Sequence, residues 1–450
     1  MPESADRGEI DSMKTLDPFG IGQATLDVWR AMVAEPEKLL ESQQRFAQMW
    51  VDLMTKTAAP PENGGSPAIV EPEPGDRRFA NEAWTKNPAL NAIKQAYLLV
   101  GQAFLEAIDR TDVDPKVKRR ARFFAKQFID MMSPTNVPWL NPEVMESMVR
   151  TGGQSLVEGW KHALEDATEN EGRVALVDTT AFELGKNVAT APGKVVYRNR
   201  LMELIRYEST TDTVYERPLL VVPPWINKFY ILDLRTTNSF VGHATDAGFQ
   251  TFVISWKNPD ASMTDVRMSD YVREGALEAA RVACEIAGTR EITMNGYCIG
   301  GTLLAMLLAY LARKEPGKRD PVITAATFMA SLVDFSEPGE IINFLGDDAL
   351  EYIESRMKER GYLEGREMAD TFNMLRANDL IWTPAVNRYL LGKDAPAFDL
   401  LYWNNDATRM PFAMHSYYLR HMYMQNELVK PDALKVKGVK LDLRTIQTPA

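Results

Sequence analysis

The chain has 450 residues, 45% of them hydrophobic and 25% charged, a balance typical of globular proteins that can bury a sizeable core. Its formal net charge of -11 argues against nucleic acid as a partner, because phosphate binding needs positive surface. The two cysteines, Cys284 and Cys298, do not suggest a secreted disulfide framework, and no apolar run reaches the length of a transmembrane helix. Together with an acidic start, Met1 to Asp11, unlike a signal peptide, these features predict a cytoplasmic protein.

The first part of the chain has helical periodicity. Residues 1–59 are predicted to be an amphipathic helical segment, 60–76 a Pro- and Gly-rich linker, and 77–190 a helical domain. A helix beginning near Pro36 places four large apolar residues near one face: Leu39, Phe46, Trp50 and Leu53. That face is suited either to docking on a partner or an apolar particle, or to packing on its own chain, and the pattern leaves both open.

The periodicity changes near residue 190, where strands begin to alternate with helices. Residues 191–334 carry six predicted strands: 194–198, 201–208, 218–222, 251–256, 291–294 and 322–328. Helical segments at 267–287 and 300–314 separate the later strands, which indicates an α/β-hydrolase-like core with a doubly wound, mostly parallel sheet. Residues 335–430, rich in aromatic residues and methionine, are predicted to be a lid insertion, and 431–450 the start of the returning core.

The strongest local signal is Gly296-Tyr297-Cys298-Ile299-Gly300, between a predicted strand and an apolar helix. This is the context of a nucleophile elbow with cysteine in place of serine. Gly296 and Gly300 permit a tight turn and a close approach of helix to strand. The helix N-terminus is expected to lower the pKa of the Cys298 thiol and favour the thiolate.

A nucleophile that transfers acyl groups also needs an oxyanion hole. One donor is expected to be the backbone N–H of Ile299, directly after the nucleophile. The other is expected from the loop that begins Pro223-Pro224, where the prolines have no N–H; Ile226 is favoured and Trp225 is the alternative.

Several longer motifs in sequence order carry a resemblance to one family. They are Asp76 to Phe79 with Glu82 to Trp84, Gly152 to Leu156, Pro223 to Leu234, Phe252 to Asp260, Gly296 to Gly301 and Leu401 to Asn404. From about residue 75 to its end, the chain resembles class I polyhydroxyalkanoate synthases, and Gly296 to Gly301 is similar to their lipase-like box.

The resemblance implies an acyltransferase that polymerises 3-hydroxyacyl-CoA into polyhydroxyalkanoate through a thioester on Cys298 and releases coenzyme A. It implies work at a polymer granule surface and a homodimer. No cofactor and no metal are expected, since coenzyme A is only the leaving group. Asp233 falls on a family motif position and is a possible supporting residue, although a helix-packing or capping role is simpler.

The sequence departs from the family where the remaining catalytic residues are expected. The family has an Asp and a His after the last strands of the sheet, whereas this sequence ends at Ala450. This suggests a C-terminally truncated version that lacks roughly 60 residues or more. The last strand of the sheet is then expected to have an unpaired edge. A substitute triad of Cys298 with Asp334 and either His415 or His421 exists in sequence order, but both histidines lie on an aromatic stretch where a packing role is the simpler interpretation.

Three functional hypotheses therefore remain. The first is a synthase-type acyltransferase. The second is a catalytically incomplete subunit that binds granules or dimerises with an intact synthase. The third is a cysteine-nucleophile thioesterase on the same fold, which the segment Pro223 to Lys228 and the long helical N-terminal region disfavour.

Overall fold

A computed structural model describes residues 17–58 and 68–450. The predictions made for Met1 to Asp11, and for residues 60–67 of the linker, fall outside these residues. The chain forms two compact units. The first contains the described residues up to Leu176 together with Phe372–Pro396, and the second contains Val177–Thr371 and Ala397–Ala450.

The first unit is helical, as its periodicity predicted. Its helices span Ile21–Ala34, Pro36–Ala58, Ala83–Lys86, Pro88–Asp109, Pro115–Met131, Pro142–Thr151 and Gln154–Glu169. Four of them begin with proline, and in three of these four the preceding side chain accepts hydrogen bonds from the first turn: Asn87, Asp114 and Asn141. Proline costs nothing there because that N–H has no partner inside the helix, so these starts are fixed locally.

The amphipathic helix Pro36–Ala58 packs on its own chain, against helix Pro88–Asp109. Leu53 is buried, and Leu39 and Phe46 are half-buried, whereas Trp50 is exposed to 37%. The apolar face therefore serves internal packing, the second of the two roles left open by the sequence. The part of the predicted linker that is described also contacts this unit, because the side chain of Gln95 accepts hydrogen bonds from the amides of Ile69 and Val70, each at 2.8 Å.

The segment Phe372–Pro396 belongs to the first unit, so the predicted lid, 335–430, is not one compact piece. The physical reason is a buried ion pair. Arg388 donates to Asp166 at 2.9 Å and to Glu165 at 2.7 Å, and the Arg388 and Asp166 side chains are both at least nine-tenths buried. Gly159 lies so close to Tyr389 that a Cβ there would overlap the carbonyl oxygen of Tyr389.

The second unit is built on a six-stranded sheet in the order β1-β2-β4-β3-β5-β6. The strands are β1 (Gly193–Arg198), β2 (Met202–Tyr207), β3 (Leu219–Val222), β4 (Thr251–Trp256), β5 (Glu291–Tyr297) and β6 (Val322–Met329). β1 and β2 pair antiparallel, as do β2 and β4, and β3, β4, β5 and β6 are parallel to one another. The predicted α/β fold, with a mostly parallel sheet and a helical N-terminal region, is confirmed.

Helices cover the sheet and complete the second unit. They span Phe240–Asp246, Met268–Ala287 with a π-helical stretch at Tyr271–Leu277, Ile299–Arg313, Asp347–Arg360, Gly365–Leu375, Asp399–Asn405 and Phe412–Tyr417, the last continued by a π-helical stretch at Tyr418–Met424. Short strand pairs form between β7 (Tyr362–Leu363) and β8 (Met410–Pro411), and between β9 (Lys435–Val436) and β10 (Val439–Lys440). Helix Ile299–Arg313 is buried from Ile299 to Tyr310, which explains its uninterrupted apolar sequence.

Strand β6 forms one edge of the sheet, but this edge is not wholly unpaired as the sequence suggested. The amide of Ala326 donates a hydrogen bond of 2.8 Å to the carbonyl of Pro449. The last residues described therefore already run beside β6.

We predict that the buried ion pair stabilises the first unit. Replacing Arg388 by Ala leaves the Asp166 carboxylate buried without its positively charged partner, so we expect the free energy of unfolding of this unit to fall by about 3–5 kcal/mol. Urea denaturation followed by tryptophan fluorescence measures this. Arg376→Ala is the matched control, because its pair with Asp379 is exposed and contributes at most about 1 kcal/mol. Equal losses in both variants would contradict the prediction.

Candidate active site

The turn between β5 and helix Ile299–Arg313 holds Cys298 in a backbone conformation that residues with a side chain rarely adopt. Its φ is 53° and its ψ is -127°. The turn is fixed by two backbone hydrogen bonds, from the Cys298 amide to the Met329 carbonyl and from the Gly301 amide to the Cys298 carbonyl, each 2.9 Å long. This is the geometry of a nucleophile elbow, in which surrounding contacts hold a strained residue at the carboxyl end of a strand.

Three glycines allow this turn, and each is required by a close contact. A Cβ on Gly300 would overlap the carbonyl oxygen of Val222 in β3, and one on Gly296 would overlap the backbone of Gly301. A Cβ on Gly301 would overlap the hydroxyl of Ser331, which donates a 3.1 Å hydrogen bond to the Gly296 carbonyl. Ser331 was not singled out from the sequence, since only the folded chain brings it under the elbow.

Burial raises the pKa of the Cys298 thiol, and the backbone N–H of Ile299, which points at the sulfur, lowers it by less. The expectation that the helix N-terminus would lower this pKa below its ordinary value is therefore wrong for the resting thiol. The reason is that desolvation disfavours the charged thiolate more strongly than one N–H donor favours it. Cys284, in the core of the same unit, has its pKa raised to about 11 by burial.

The loop after β3 lies beside the elbow because Val222, which Gly300 touches, is the last residue of that strand. Side chains and backbone of the second unit fix the loop in place. The carbonyls of Pro223, Ile226 and Lys228 accept hydrogen bonds from Trp256 Nε1 at 2.9 Å, the Thr408 amide at 3.2 Å and Trp403 Nε1 at 2.8 Å, respectively. The hydrogen bond to the Ile226 carbonyl fixes the position of this residue. Its backbone N–H stays the predicted second oxyanion donor.

Aromatic side chains pack around the thiol. The ring of Tyr418 lies 5.4 Å from those of Trp225 and Tyr423 and 6.1 Å from that of Phe335, in edge-on arrangements. Cys298 packs against the same hydrophobic cluster. Burial raises the pKa of the Tyr418 and Tyr423 hydroxyls, and a charge on the Cys298 sulfur adds a smaller effect in the same direction. The sequence showed that this stretch is aromatic but did not assign these residues to the site.

Asp233 is buried and has structural partners. Its carboxylate accepts hydrogen bonds from the hydroxyl of Ser239 at 2.8 Å and from the amide of Ala191 at 2.9 Å. These bonds tie the segment after the loop to the start of β1. Neither donor is an amide in the first turn of a helix, and a supporting role of Asp233 in the reaction stays a prediction.

The candidate substitute triad does not assemble as an Asp–His pair. Asp334 accepts hydrogen bonds from the Ser336 amide at 2.9 Å and from the Asn426 side chain at 2.7 Å. His421 instead pairs with Glu427, 2.6 Å from Nδ1 to the carboxylate. His415 is 1% exposed, and neither ring nitrogen has a partner in the described part of the chain.

Within residues 17–58 and 68–450, no group of three or more His, Cys, Asp or Glu side chains could hold a metal ion. Among the helices of these residues, none has both the length and the apolar character needed for a bilayer span.

Comparison with known proteins finds one consistent family. Residues 75–244 match the family model described as the N-terminus of poly-beta-hydroxybutyrate polymerase (PhaC). The chain is 44% identical over 418 residues to a poly(3-hydroxyalkanoate) polymerase of Methylorubrum extorquens, covering 92% of this chain and 68% of that protein. It is 38% identical over 429 residues to the poly(3-hydroxyalkanoate) polymerase subunit PhaC of Cupriavidus necator, covering 94% of this chain and 71% of that protein.

Among solved structures, the chain overlaps with a carboxylesterase of Nitrososphaera gargenis at a TM-score of 0.29 and 13% identity, over 55% of this chain and 78% of that one.

Burial of both thiols predicts slow alkylation. Because the pKa of Cys298 and that of Cys284 lie above the ordinary value, we expect iodoacetamide at pH 8 to modify each more slowly than a cysteine in a short peptide. Peptide mass spectrometry resolves the two sites. In urea, both cysteines should react at the rate of the peptide cysteine. Faster reaction of Cys298 in the folded protein than of the peptide cysteine would contradict the prediction.

The buried His415 predicts an acid-sensitive second unit. Burial lowers its pKa from 6.5 to about 4. Between pH 6.5 and pH 4, the unfolded chain therefore binds a proton on this residue that the folded chain does not. Stability from this group is therefore complete above pH 6.5 and is lost as the pH falls toward 4, by up to about 3 kcal/mol. Unfolding in urea at several pH values measures this. His415→Leu should remove that slope and His243→Gln, at an exposed position, should retain it.

Proposed function

Because the chain belongs to the poly(3-hydroxyalkanoate) polymerase family, we propose that it is an acyltransferase that polymerises 3-hydroxyacyl units supplied as coenzyme A thioesters, with Cys298 as the nucleophile. The observation that carries this proposal is the position of Cys298 in a strained elbow, with the Ile299 N–H aimed at its sulfur. Oxyanion stabilisation by the amides of Ile299 and Ile226 is part of the proposal.

The proposed reaction has two balanced steps. The Cys298 sulfur bonds to the acyl carbon of the substrate, the bond from that carbon to the coenzyme A sulfur breaks, and coenzyme A leaves as the thiol with the proton from Cys298. The hydroxyl oxygen of another unit or of the growing chain then bonds to the acyl carbon, the Cys298 thioester breaks, and the hydroxyl proton restores the thiol. Neither step needs a metal or redox cofactor.

Transfer to a hydroxyl, rather than to water, is supported by the surroundings of the sulfur. Cys298 is half-buried and packs on an apolar cluster that includes Trp225, Phe335 and Tyr418. A thioester formed there is shielded from bulk water, which disfavours the thioesterase alternative.

Location and assembly are also proposals. We propose that the protein is cytoplasmic and works at the surface of polyhydroxyalkanoate granules as a homodimer, as the family resemblance implies. Exposed apolar side chains on the first two helices of the first unit support contact with an apolar polymer, among them Trp29 at 62%, Leu40 at 55% and Met54 at 61% exposure.

The test is coenzyme A release from 3-hydroxybutyryl-CoA by the purified chain. We expect Cys298→Ala to lower the rate more than about 1000-fold, because the nucleophile is lost, and Cys284→Ala to retain it. Mass spectrometry of the products separates the alternatives: ester-linked oligomers support the polymerase, whereas free 3-hydroxybutyrate alone would identify a thioesterase. The non-catalytic subunit would be favoured by a different result. None of the three proteins would release coenzyme A, but adding this chain to an intact member of the family would increase the release by that member.

A further inference from the structure

The second unit contains a cavity of about 480 Å³ whose lining carries positive charge. Three of its lining residues are basic, namely Arg267, Lys435 and Lys437, and none of the described residues that line it is acidic. Cys298 does not line it, whereas Met306, eight residues further along the helix that follows the elbow, does. At a rise of about 1.5 Å per residue this is about 12 Å along the helix axis, so the cavity is separate from the nucleophile.

The protein itself neutralises these basic side chains poorly. In the described part of the chain, Arg267 and Lys435 pair with no carboxylate, and both residues are exposed. Lys437 has one acidic neighbour, Asp270, with 3.7 Å between its ammonium and the carboxylate. Asp270 is shared, because its carboxylate also lies 3.7 Å from the guanidinium of Arg200. In a chain with a formal net charge of -11, three such cations around one cavity indicate an anionic ligand.

The hairpin that carries two of these lysines has an unfavourable backbone conformation at Lys437. Only Lys437 and Gly438 join strands β9 and β10, with φ of 46° and 88°. Positive φ at both positions of a two-residue turn favours Asn, Asp or Gly, so a lysine at the first position indicates a use for its side chain. Val436 is fully buried in the core, and the alternation of side chains along the strand therefore turns Lys435 away from the core.

The rest of the lining suits an apolar, flat group. Met268 and Met306 line the cavity and are 2% and 1% exposed, and the half-buried ring of Tyr417 lines it as well. Methionine sulfur makes favourable contacts with aromatic rings. The volume falls within the range of about 300–1,000 Å³ that is usual for small-molecule sites. A ligand that combines several negative charges with an aromatic body fits this lining.

We infer that this cavity binds a phosphate ester of nucleotide size, with its phosphate oxygens at the three basic side chains and its base on the two methionines. A phosphate monoester carries about two negative charges at pH 7, so it matches several cations better than a carboxylate does. Arginine can also bind two of its oxygens at once. Coenzyme A, which the proposed reaction releases, and free adenine nucleotides share this chemistry. Binding itself does not rest on the proposed function.

The test is isothermal titration calorimetry of the full chain with ADP, coenzyme A and adenosine. We expect ADP or coenzyme A to bind, and adenosine, which has no phosphate, to bind at least about tenfold more weakly. Lys435→Gln removes one charge-assisted contact and should weaken binding of the phosphate ligand about tenfold. Arg267→Gln, on a different element, should cause a similar loss.

The matched control is Lys440→Gln. Lys440 stands directly opposite Lys435 in the β9–β10 pair but does not line the cavity, so its replacement removes the same charge from the same hairpin. It should change the affinity less than twofold, and circular dichroism checks that each variant is folded. No binding of either phosphate ligand by the wild-type chain at concentrations up to about 1 mM would overturn the inference. An equal loss of affinity in Lys435→Gln and Lys440→Gln would overturn it as well.

The same titrations separate the two sources of the ligand. Tighter binding of coenzyme A than of ADP assigns the cavity to the nucleotide end of the substrate, and Lys435→Gln should then raise the KM for 3-hydroxybutyryl-CoA about tenfold at an unchanged kcat. Binding of ADP at least as tight as that of coenzyme A identifies a free nucleotide as the ligand. A chain that binds ADP but releases no coenzyme A from the substrate would contradict the proposed function and support this inference.

Discussion

The close approach of helix Ile299–Arg313 to strands β3 and β5 is the contact on which the rest of the site depends. Gly300 sits against the carbonyl of Val222, at a distance that no larger residue permits. The same contact holds Cys298 at its positive φ and sets the loop after Val222 beside it. One backbone contact thus positions both the nucleophile and the segment expected to supply the second oxyanion donor.

The thiol is held in an apolar environment, and this has consequences for its chemistry. Burial raises its pKa, so the resting form is the neutral thiol, and the Ile299 N–H is a favourable polar contact at the sulfur. The thiol packs against a hydrophobic cluster that includes Trp225, Phe335 and Tyr418. Such a site suits an acyl intermediate that must wait for a hydroxyl rather than react with water, but it requires the thiol to be deprotonated as the substrate binds.

The first unit illustrates how strongly a buried charge can tie distant segments together. Arg388 and Asp166 are separated by 222 positions, yet their buried pair joins segment Phe372–Pro396 to helix Gln154–Glu169. Neither charge can be buried alone, so this pair favours the placement of the segment, together with the close packing of Gly159 on Tyr389.

Local patterns in the sequence determined much of this protein. Alternation and apolar runs located all six strands of the large sheet, and β4 agrees to the residue, because side chains on a buried strand must be apolar whatever surrounds them. Glycine spacing located the elbow at Cys298, because the turn tolerates no Cβ at Gly296 or Gly300. Tertiary structure alone decided that 372–396 leave the lid, that burial outweighs the helix N-terminus at the thiol, and that Tyr418 belongs to the cluster against which the thiol packs. These features depend on desolvation and on contacts between residues far apart in the chain, which no local pattern records.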